Sequence, residues 1–262
     1  MGLRYGLVSA AVLALVAAAL FLWSRADAFL AENERFRLAE PSSQNGESPA
    51  LRIEGVVYTR RAKIVETFAA DYGRSLYLMP LAERRRSLMA IDWVKDATVS
   101  RLWPDRLAVR IVERKPVAFV QLPGASASQP GEVALIDAEG AILVQPERAR
   151  FTLPVLTGIR RDQSPAMRRE RVQTALRLVE DLSDLAGRIS EIDVSDPVNL
   201  KIVQPAEGRV VMLMLGDRNF RSRLHNFLRH YPEILKRLPG AVNFDLRLDN
   251  RITALGEDRR GG

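Results

Sequence analysis

The feature that most constrains this chain is an apolar run near its N-terminus. Residues 7–23 read LVSAAVLALVAAALFLW, with one polar side chain in 17 residues. The uncharged stretch is 20 residues long, over residues 5–24, and at about 1.5 Å per residue a helix of that length crosses the roughly 30 Å hydrocarbon core of a bilayer. Tyr5 and Trp23 stand where aromatic side chains favour the two membrane interfaces. Residues 1–24 are therefore predicted to be a short cytoplasmic tail and one transmembrane helix.

A cleaved signal peptide is the alternative, because Ala26-Asp27-Ala28 resembles the small-residue pattern of a cleavage site. Against it, the apolar run is longer than the usual signal core of about 7–15 residues, and Arg25 would lie inside the cleavage region. We therefore expect an uncleaved anchor. No second apolar stretch of this length follows, which predicts a single crossing. Charge specifies the orientation poorly, because Arg4 and Arg25 flank the span on opposite sides, but a short tail before a long body favours a type II protein with an exported body.

The first part of the body is predicted to be a linker followed by a small α+β domain. Residues 25–50 are predicted to be the juxtamembrane segment and linker. Residues 24–37 could extend the anchor as a helix, and EPSSQNGESP at residues 40–49 is the flexible linker, because it is polar and rich in turn-forming residues. Residues 51–118 follow the order β-α-α-β-β, with clean apolar alternation at residues 51–56 and 106–113 on either side of two helical patterns. This order favours a sheet with helices on one face.

Residues 119–255 are predicted to form a mostly antiparallel β domain with two helices. Ser164, followed by proline, begins the first helix, whose apolar residues recur at spacings of three and four. Asp217 is predicted to cap the second helix, and Pro232 to close it. The fold class of the whole chain is therefore α+β, with one N-terminal transmembrane helix.

A last strand is predicted over residues 241–248, and its continuation to residue 255 is left open. A terminal strand at the edge of a sheet leaves N–H and C=O groups unpaired, and an extended segment of a partner can complete them. Residues 256–262 are charged and glycine-rich, which predicts a disordered tail.

The residue types that build most enzyme sites are scarce. The chain has no cysteine, and its two histidines, His225 and His230, are five residues apart, so they do not share a helix face as metal ligands at i and i+4 would. No serine-nucleophile elbow, zinc-protease motif or phosphate-binding loop is present. We expect no catalytic residue, cofactor, metal or small-molecule substrate.

The basic balance of the chain is a weak functional signal. Its net charge is +7, but the densest cluster, Arg84-Arg85-Arg86, carries no interleaved aromatic residues of the kind that bind single-stranded nucleic acid. The simplest interpretation of this cluster is a solvent-exposed helix face, and we expect no nucleic-acid partner. Contact with anionic lipid stays open. Trp93 and Trp103 are interpreted as packing residues.

Short motifs spread through the body resemble those of one known family. They are IEGV at residues 53–56, GRSL at 73–76, WVKDA at 93–97, RLWP at 101–104, ERKPVA at 113–118, LIDAEG at 135–140, LPVLTG at 153–158, LGD at 215–217 and FDLR at 244–247. The first three look like a POTRA domain, which residues 51–118 would form. The whole series, in this order after a membrane span, resembles the FtsQ/DivIB family of bacterial cell-division proteins.

That resemblance implies a non-enzymatic scaffold of the divisome. It would lie in the inner membrane at the division septum with its body in the periplasm, recruit the FtsB and FtsL coiled-coil pair, contact other divisome components, link early and late division proteins, and help control septal peptidoglycan synthesis. The partner site of the family is a C-terminal strand that pairs with FtsB. It maps onto Arg247, Leu248, Asp249, Asn250, Arg251, Ile252 and Thr253.

Alternatives remain at this stage. The charges of that C-terminal stretch are also those that protect a plain edge strand against aggregation. Many relatives have an aromatic residue where this chain has Leu248, and leucine offers less contact area at an interface. The whole protein could also be a POTRA-bearing component of a polypeptide export or assembly system.

Overall fold

The computed structural model of the chain describes residues 2–40, 49–124, 130–147 and 149–256. Over these ranges the chain divides into two compact units, Met1–Arg114 and Lys115–Gly262. The fold is α+β, as the sequence predicts: an apolar N-terminal helix, a small α+β unit and a sheet-rich unit with two helices. Residues 41–48 of the predicted linker and residues 257–262 of the predicted tail lie outside the described residues.

The N-terminal helix, α1 (Gly2–Glu32), is longer than the predicted span. Its stretch Val12–Glu32 has a mean hydropathy of 1.7 and buries none of its side chains against the rest of the chain. By length and composition it can cross a membrane, and it is the one such helix among the described residues. A helix that exposes this much apolar surface is suited to lipid rather than to water.

The first unit has the predicted order β-α-α-β-β. Its elements are β1 (Leu51–Glu54), α2 (Arg61–Glu66), α3 (Leu81–Met89), β2 (Val94–Leu102) and β3 (Arg106–Glu113). The central strand is β3, which pairs in parallel with β1 and antiparallel with β2. The helical pattern of residues 63–72 predicts a longer first helix than α2, which ends at Glu66 and is followed by a 3₁₀ turn at Ala69–Asp71. Alternate residues of β3, Leu107, Val109 and Ile111, are buried in the core of the unit.

The segment between α1 and the predicted flexible linker packs on the core of the first unit, a contact that the sequence did not indicate. Leu38 is 1% exposed and belongs to the same core as Leu76. Its backbone N–H donates to the carbonyl of Arg74 at 3.0 Å, and its carbonyl accepts from Gly73 at 2.9 Å. Leu76 in turn donates to the carbonyl of Phe36 at 2.8 Å. The polar composition of the region hid this contact, because its few apolar residues show no helical or strand periodicity.

The second unit is one nine-stranded sheet with two helices. Its strands are β4 (Pro116–Leu122), β5 (Glu132–Asp137), β6 (Ile142–Leu143), β7 (Val155–Thr157), β8 (Glu191–Asp193), β9 (Leu200–Ala206), β10 (Arg209–Gly216), β11 (Asn243–Asp245) and β12 (Thr253–Leu255), and its helices are α4 (Pro165–Leu182) and α5 (Phe220–Arg237). The strand order is β12-β11-β10-β9-β8-β7-β4-β5-β6. Five of the eight strand pairings are antiparallel and three are parallel. Because β4 joins this sheet, residues 115–118 lie in the second unit rather than in the first, where they were expected.

The start of α4 agrees with the sequence-based prediction, whereas both ends of α5 differ from it. Ser164 caps α4, as predicted, with its hydroxyl accepting from the N–H of Met167 at 3.2 Å. Asp217 does not cap α5; Asn219 occupies that position with φ of +55°. Pro232 lies inside α5, which continues to Arg237. The last turns persist because apolar side chains beyond the proline still pack against the core.

Candidate partner-binding edge

The predicted partner site lies between the last two strands of the second sheet and not within one strand. The strand predicted over residues 241–248 is only β11, and of the seven predicted site residues only Thr253 lies in a strand, β12. The other six lie in the connecting loop, and the prediction of a continuous terminal strand through this stretch is wrong. Arg251 N–H donates to the carbonyl of Leu248 at 3.0 Å across a turn. Asp249 and Asn250 inside that turn are residue types that favour chain reversal.

The chain nevertheless ends its sheet in an open edge. The register of β12 on β11 is antiparallel, with Phe244 opposite Ala254, and β11 pairs in parallel with β10. No strand pairs with the outer side of β12 among the described residues. Thr253 and Leu255 are exposed there. The outward backbone groups of a strand in this position are available to an added strand.

The loop before β12 is fixed by one buried arginine. Arg223 on α5 has a side chain 4% exposed, and its Nε lies 2.7 Å from Oδ1 of Asp249. Its Nη1 donates to the carbonyl of Leu215 at 2.6 Å. Asn219 adds a second contact to the same carboxylate, with its side-chain amide 3.1 Å from Oδ2 of Asp249. These bonds join the end of β10, the start of α5 and the loop.

Gly216, the middle residue of the LGD motif, leaves room for this arginine. Its φ is +77°, a conformation that side chains rarely adopt. A Cβ at this position would lie 3.0 Å from Nη1 of Arg223 and 3.4 Å from the side chain of Arg247. The motif therefore shapes the support of the loop.

Two carboxylates in and beside the loop are held in their charged form. A hydrogen bond from Arg223 lowers the pKa of Asp249 below its ordinary value. A hydrogen bond from Arg247 lowers the pKa of Asp245 in the same way, and Nη2 of that arginine lies 2.6 Å from Oδ2. At neutral pH the loop therefore presents a fixed charge pattern.

The seven predicted residues differ in their exposure and in their contacts. Leu248 is 63% exposed, and Asn250 and Arg251 are also exposed. Arg247 and Asp249 are tied to carboxylate and guanidinium partners. Ile252 is half-buried and packs against the core of the unit. The structure thus brings together an exposed apolar side chain, polar neighbours and an open strand edge.

Arg223 was absent from the residues singled out by sequence. A signal for it does exist, since it lies on the same helical face as Phe220, Leu224 and Phe227, all of which are buried. A charged residue inside an apolar helical stripe needs a buried partner. The sequence does not say which residue supplies it.

The sequence predicts a solvated helix face for the arginine cluster of α3, but the structure shows that two of these arginines have internal partners. Arg84 binds Asp71, which is 2% exposed, through two hydrogen bonds of 2.5 and 2.9 Å. Arg85 binds the carboxylate of Asp96 at 2.6 Å and the carbonyl of Ala97 at 2.8 Å. Two of the three arginines therefore serve the internal structure of the unit.

The other residues considered from sequence occupy structural positions. Trp93 is 6% exposed and packs on Tyr58, with ring centroids 4.9 Å apart. Trp103 packs edge-on against Phe36 at 5.6 Å. His225 and His230 are exposed on α5. No group of three or more candidate metal ligands occurs within the described ranges.

Family models match both units of the body. The model of the FtsQ-type POTRA domain matches residues 50–114. The model of the C-terminal domain of cell division protein FtsQ/DivIB matches residues 125–247. The second match stops before most of the loop and before β12.

Individual proteins are similar over most of the chain. Cell division protein FtsQ of Koribacter versatilis is 32% identical over 239 residues, which cover 88% of this chain and 64% of that protein. FtsQ of Novosphingobium aromaticivorans is 33% identical over 205 residues, covering 77% of this chain and 59% of the relative. FtsQ of Myxococcus fulvus is 27% identical over 219 residues, covering 80% and 72%. The chain therefore spans about three fifths of the length of the first two relatives.

Proposed function

The chain belongs to the FtsQ/DivIB family of bacterial cell-division proteins, and we propose that it acts in division as a non-enzymatic scaffold that binds a partner at the β12 edge. The observation that carries this proposal is the outer side of Thr253–Leu255, with which no described strand pairs, beside a loop fixed by Arg223. Family membership supports the role in division.

The partner we propose is the FtsB/FtsL-type coiled-coil pair, through an extended segment of its FtsB-type member. A segment that adds to β12 would gain main-chain hydrogen bonds for affinity, and side chains beside the edge would select it. Leu248, Asn250 and Arg251 are exposed next to the edge and suit the second task. Through this contact the scaffold would link early and late division proteins and help control septal peptidoglycan synthesis.

We further propose that α1 anchors the chain once in the inner membrane, with the body in the periplasm at the septum. The apolar stretch Val12–Glu32 supports an anchor. A role in polypeptide export has no comparable support, because both matching family models are of the FtsQ type.

Proline substitutions in β12 test the edge pairing. Successive residues of a strand direct their backbone groups to opposite sides, so one of Thr253→Pro and Ala254→Pro removes an outward N–H while the other disturbs pairing with β11. We expect the variant that keeps its unfolding temperature to lose capture of an FtsB/FtsL-type pair in membranes. Ile142→Pro in β6, at the opposite end of the sheet, is the control and should capture normally. Undiminished capture by both β12 variants would refute the proposal.

Leu248→Glu tests the loop as part of the same interface. Its side chain is 63% exposed, so the change should leave the folded protein intact. Burying a carboxylate in an interface is costly, and capture of the pair should fall at least about ten-fold if the side chain is covered by the partner. Val210→Glu is the matched control, since Val210 is also 63% exposed on the same unit. Equal capture by the two variants would remove Leu248 from the site.

A further inference from the structure

A cavity lies between the end of the membrane helix and the first unit. Its volume is about 450 Å³, and its lining includes Ala31, Arg37, Arg74, Ser75 and Leu78. We infer that this cavity binds the phosphate headgroup of an anionic phospholipid from the membrane that α1 crosses. The inference rests on the proposed membrane anchoring and goes beyond the proposed partner role.

The cavity has a fixed relation to α1. Ser75 Oγ donates to the carbonyl of Leu30 on the last turns of the helix at 2.8 Å. The ring of Phe29 packs edge-on against Phe36 at 5.8 Å, and Phe36 packs on Trp103 at 5.6 Å. Nearby, the backbone of Leu38 is hydrogen-bonded to the backbone of Gly73 and Arg74. The end of α1 is therefore held against the unit by both side-chain and backbone contacts.

The position of the cavity along α1 places it at the membrane surface. Ala31 is the last but one residue of the apolar stretch Val12–Glu32. It lies eight residues beyond Trp23, or about 12 Å along the helix axis, and the headgroup layer on each side of a bilayer is about 5–8 Å thick. A span that ends between about Ala26 and Glu32 thus puts headgroups beside the cavity.

The chemistry of the lining matches a phosphodiester. Arg37 and Arg74 are exposed, and neither forms an ion pair within the part of the chain that the structure describes. The carboxylate in the lining, Asp71, is neutralised by its two bonds to Arg84. Guanidinium groups bind phosphate oxygens through paired, charge-assisted hydrogen bonds.

The apolar part of the lining matches the remainder of a lipid. Leu78 is 65% exposed, although it stands next to the buried Met79. Phe29 and Trp103, near the same end of α1, are 57% and 50% exposed. Aromatic rings of this kind favour the membrane interface. A free phosphate ion would use the arginines alone, whereas a phospholipid would use both parts of the surface.

The test uses the full chain in nanodiscs that contain equal parts of phosphatidylglycerol and phosphatidylcholine. The lipids retained after gentle release are counted by native mass spectrometry. We expect preferential retention of phosphatidylglycerol by the wild type, and a loss of about thirty-fold in that preference in Arg37→Gln/Arg74→Gln, the scale set by two basic residues at an anionic surface. Arg52→Gln/Arg110→Gln removes the same charge from exposed positions on the sheet of the same unit and should keep the preference.

Two results would refute lipid binding at the cavity: no preference for phosphatidylglycerol in the wild type, or the same loss of preference in both double variants. Displacement of the lipid by millimolar inorganic phosphate would also overturn the inference, because it would assign the site to a free anion. Carbonate extraction of membranes is measured in parallel. A chain that is extracted would refute the anchoring itself, whereas an integral chain without lipid preference would refute the cavity alone.

Discussion

The guanidinium of Arg223 lies 2.7 Å from the carboxylate of Asp249, and the two residues differ sharply in exposure. The arginine side chain is 4% exposed and the aspartate side chain is 51% exposed. A buried guanidinium on α5 is therefore hydrogen-bonded to a solvent-exposed loop and restrains it. The loop leads directly into β12, so this contact, together with the pairing of β12 on β11, helps to position the strand at the edge of the sheet.

Replacing Arg223 should loosen the loop and destabilise the second unit. Arg223→Met keeps much of the side-chain volume but removes the bonds to Asp249 and to the carbonyl of Leu215. We expect the free energy of unfolding to fall by about 2 kcal/mol, because a buried carbonyl is left without its donor. Urea unfolding measures it. Arg229→Met on the exposed side of the same helix is the control, and equal losses in the two variants would show that helix composition matters rather than this contact.

The buried ion pair between Arg84 and Asp71 should contribute far more to the stability of the first unit than the exposed pair between Arg85 and Asp96. Asp71→Asn leaves the half-buried guanidinium of Arg84 without its counter-charge, and we expect a loss of about 3 kcal/mol in the free energy of unfolding. Asp96→Asn breaks the solvent-exposed pair with Arg85 and should change stability very little. Thermal unfolding of the two variants side by side decides the matter. A larger loss in Asp96→Asn would contradict the assignment.

Leu38→Ala tests whether the segment after α1 is part of the first unit. Leu38 is 1% exposed within the core, so its truncation should cost about 3 kcal/mol. Val57→Ala, at a position 76% exposed in the same unit, should cost almost nothing. Chemical denaturation followed by tryptophan fluorescence provides the measurement. If the segment that carries Leu38 were not part of the folded unit, the two variants would be equally stable.

Glu113 should give the first unit a stability that depends on acidic pH. Burial alone would raise the pKa of its carboxyl, but the backbone N–H groups of Thr59 and Tyr58, at 2.7 and 3.0 Å, bind the charged form and bring the pKa below its ordinary value. A carboxyl with a lowered pKa in the folded state stabilises above its unfolded pKa of about 4.3, and that stability is lost as the pH falls through the folded pKa.

Glu113→Gln removes this contribution. At neutral pH we expect the variant to be less stable by about 1 kcal/mol, a small value because the carboxylate is partly solvated. The difference from the wild type should shrink as the pH falls from about 5 to below 4. Unfolding free energies measured across this range give the profile, and a difference that stays constant with pH would contradict the role of the charge.

Several elements could be predicted from sequence because their signal is local. The alternation of Leu107, Val109 and Ile111 indicated β3, and Ser164 before a proline marked the start of α4. Such patterns reflect the repeat of a strand or helix and the needs of its first turn, which neighbouring residues supply. The C-terminal strand was predicted less well. The alternation there ran across residues that the structure divides into β11, a turn and β12.

The sequence by itself determined the apolar span, the order of elements in the first unit and the family to which the chain is similar, since each depends on residues close together in the chain. Only the tertiary structure decided that Leu38 joins the core of the first unit and that Arg223, 26 residues before Asp249, supports the loop. Contacts of this kind arise when distant segments are brought together by burial of apolar surface. A buried charge or backbone group must then find a partner wherever the fold places one.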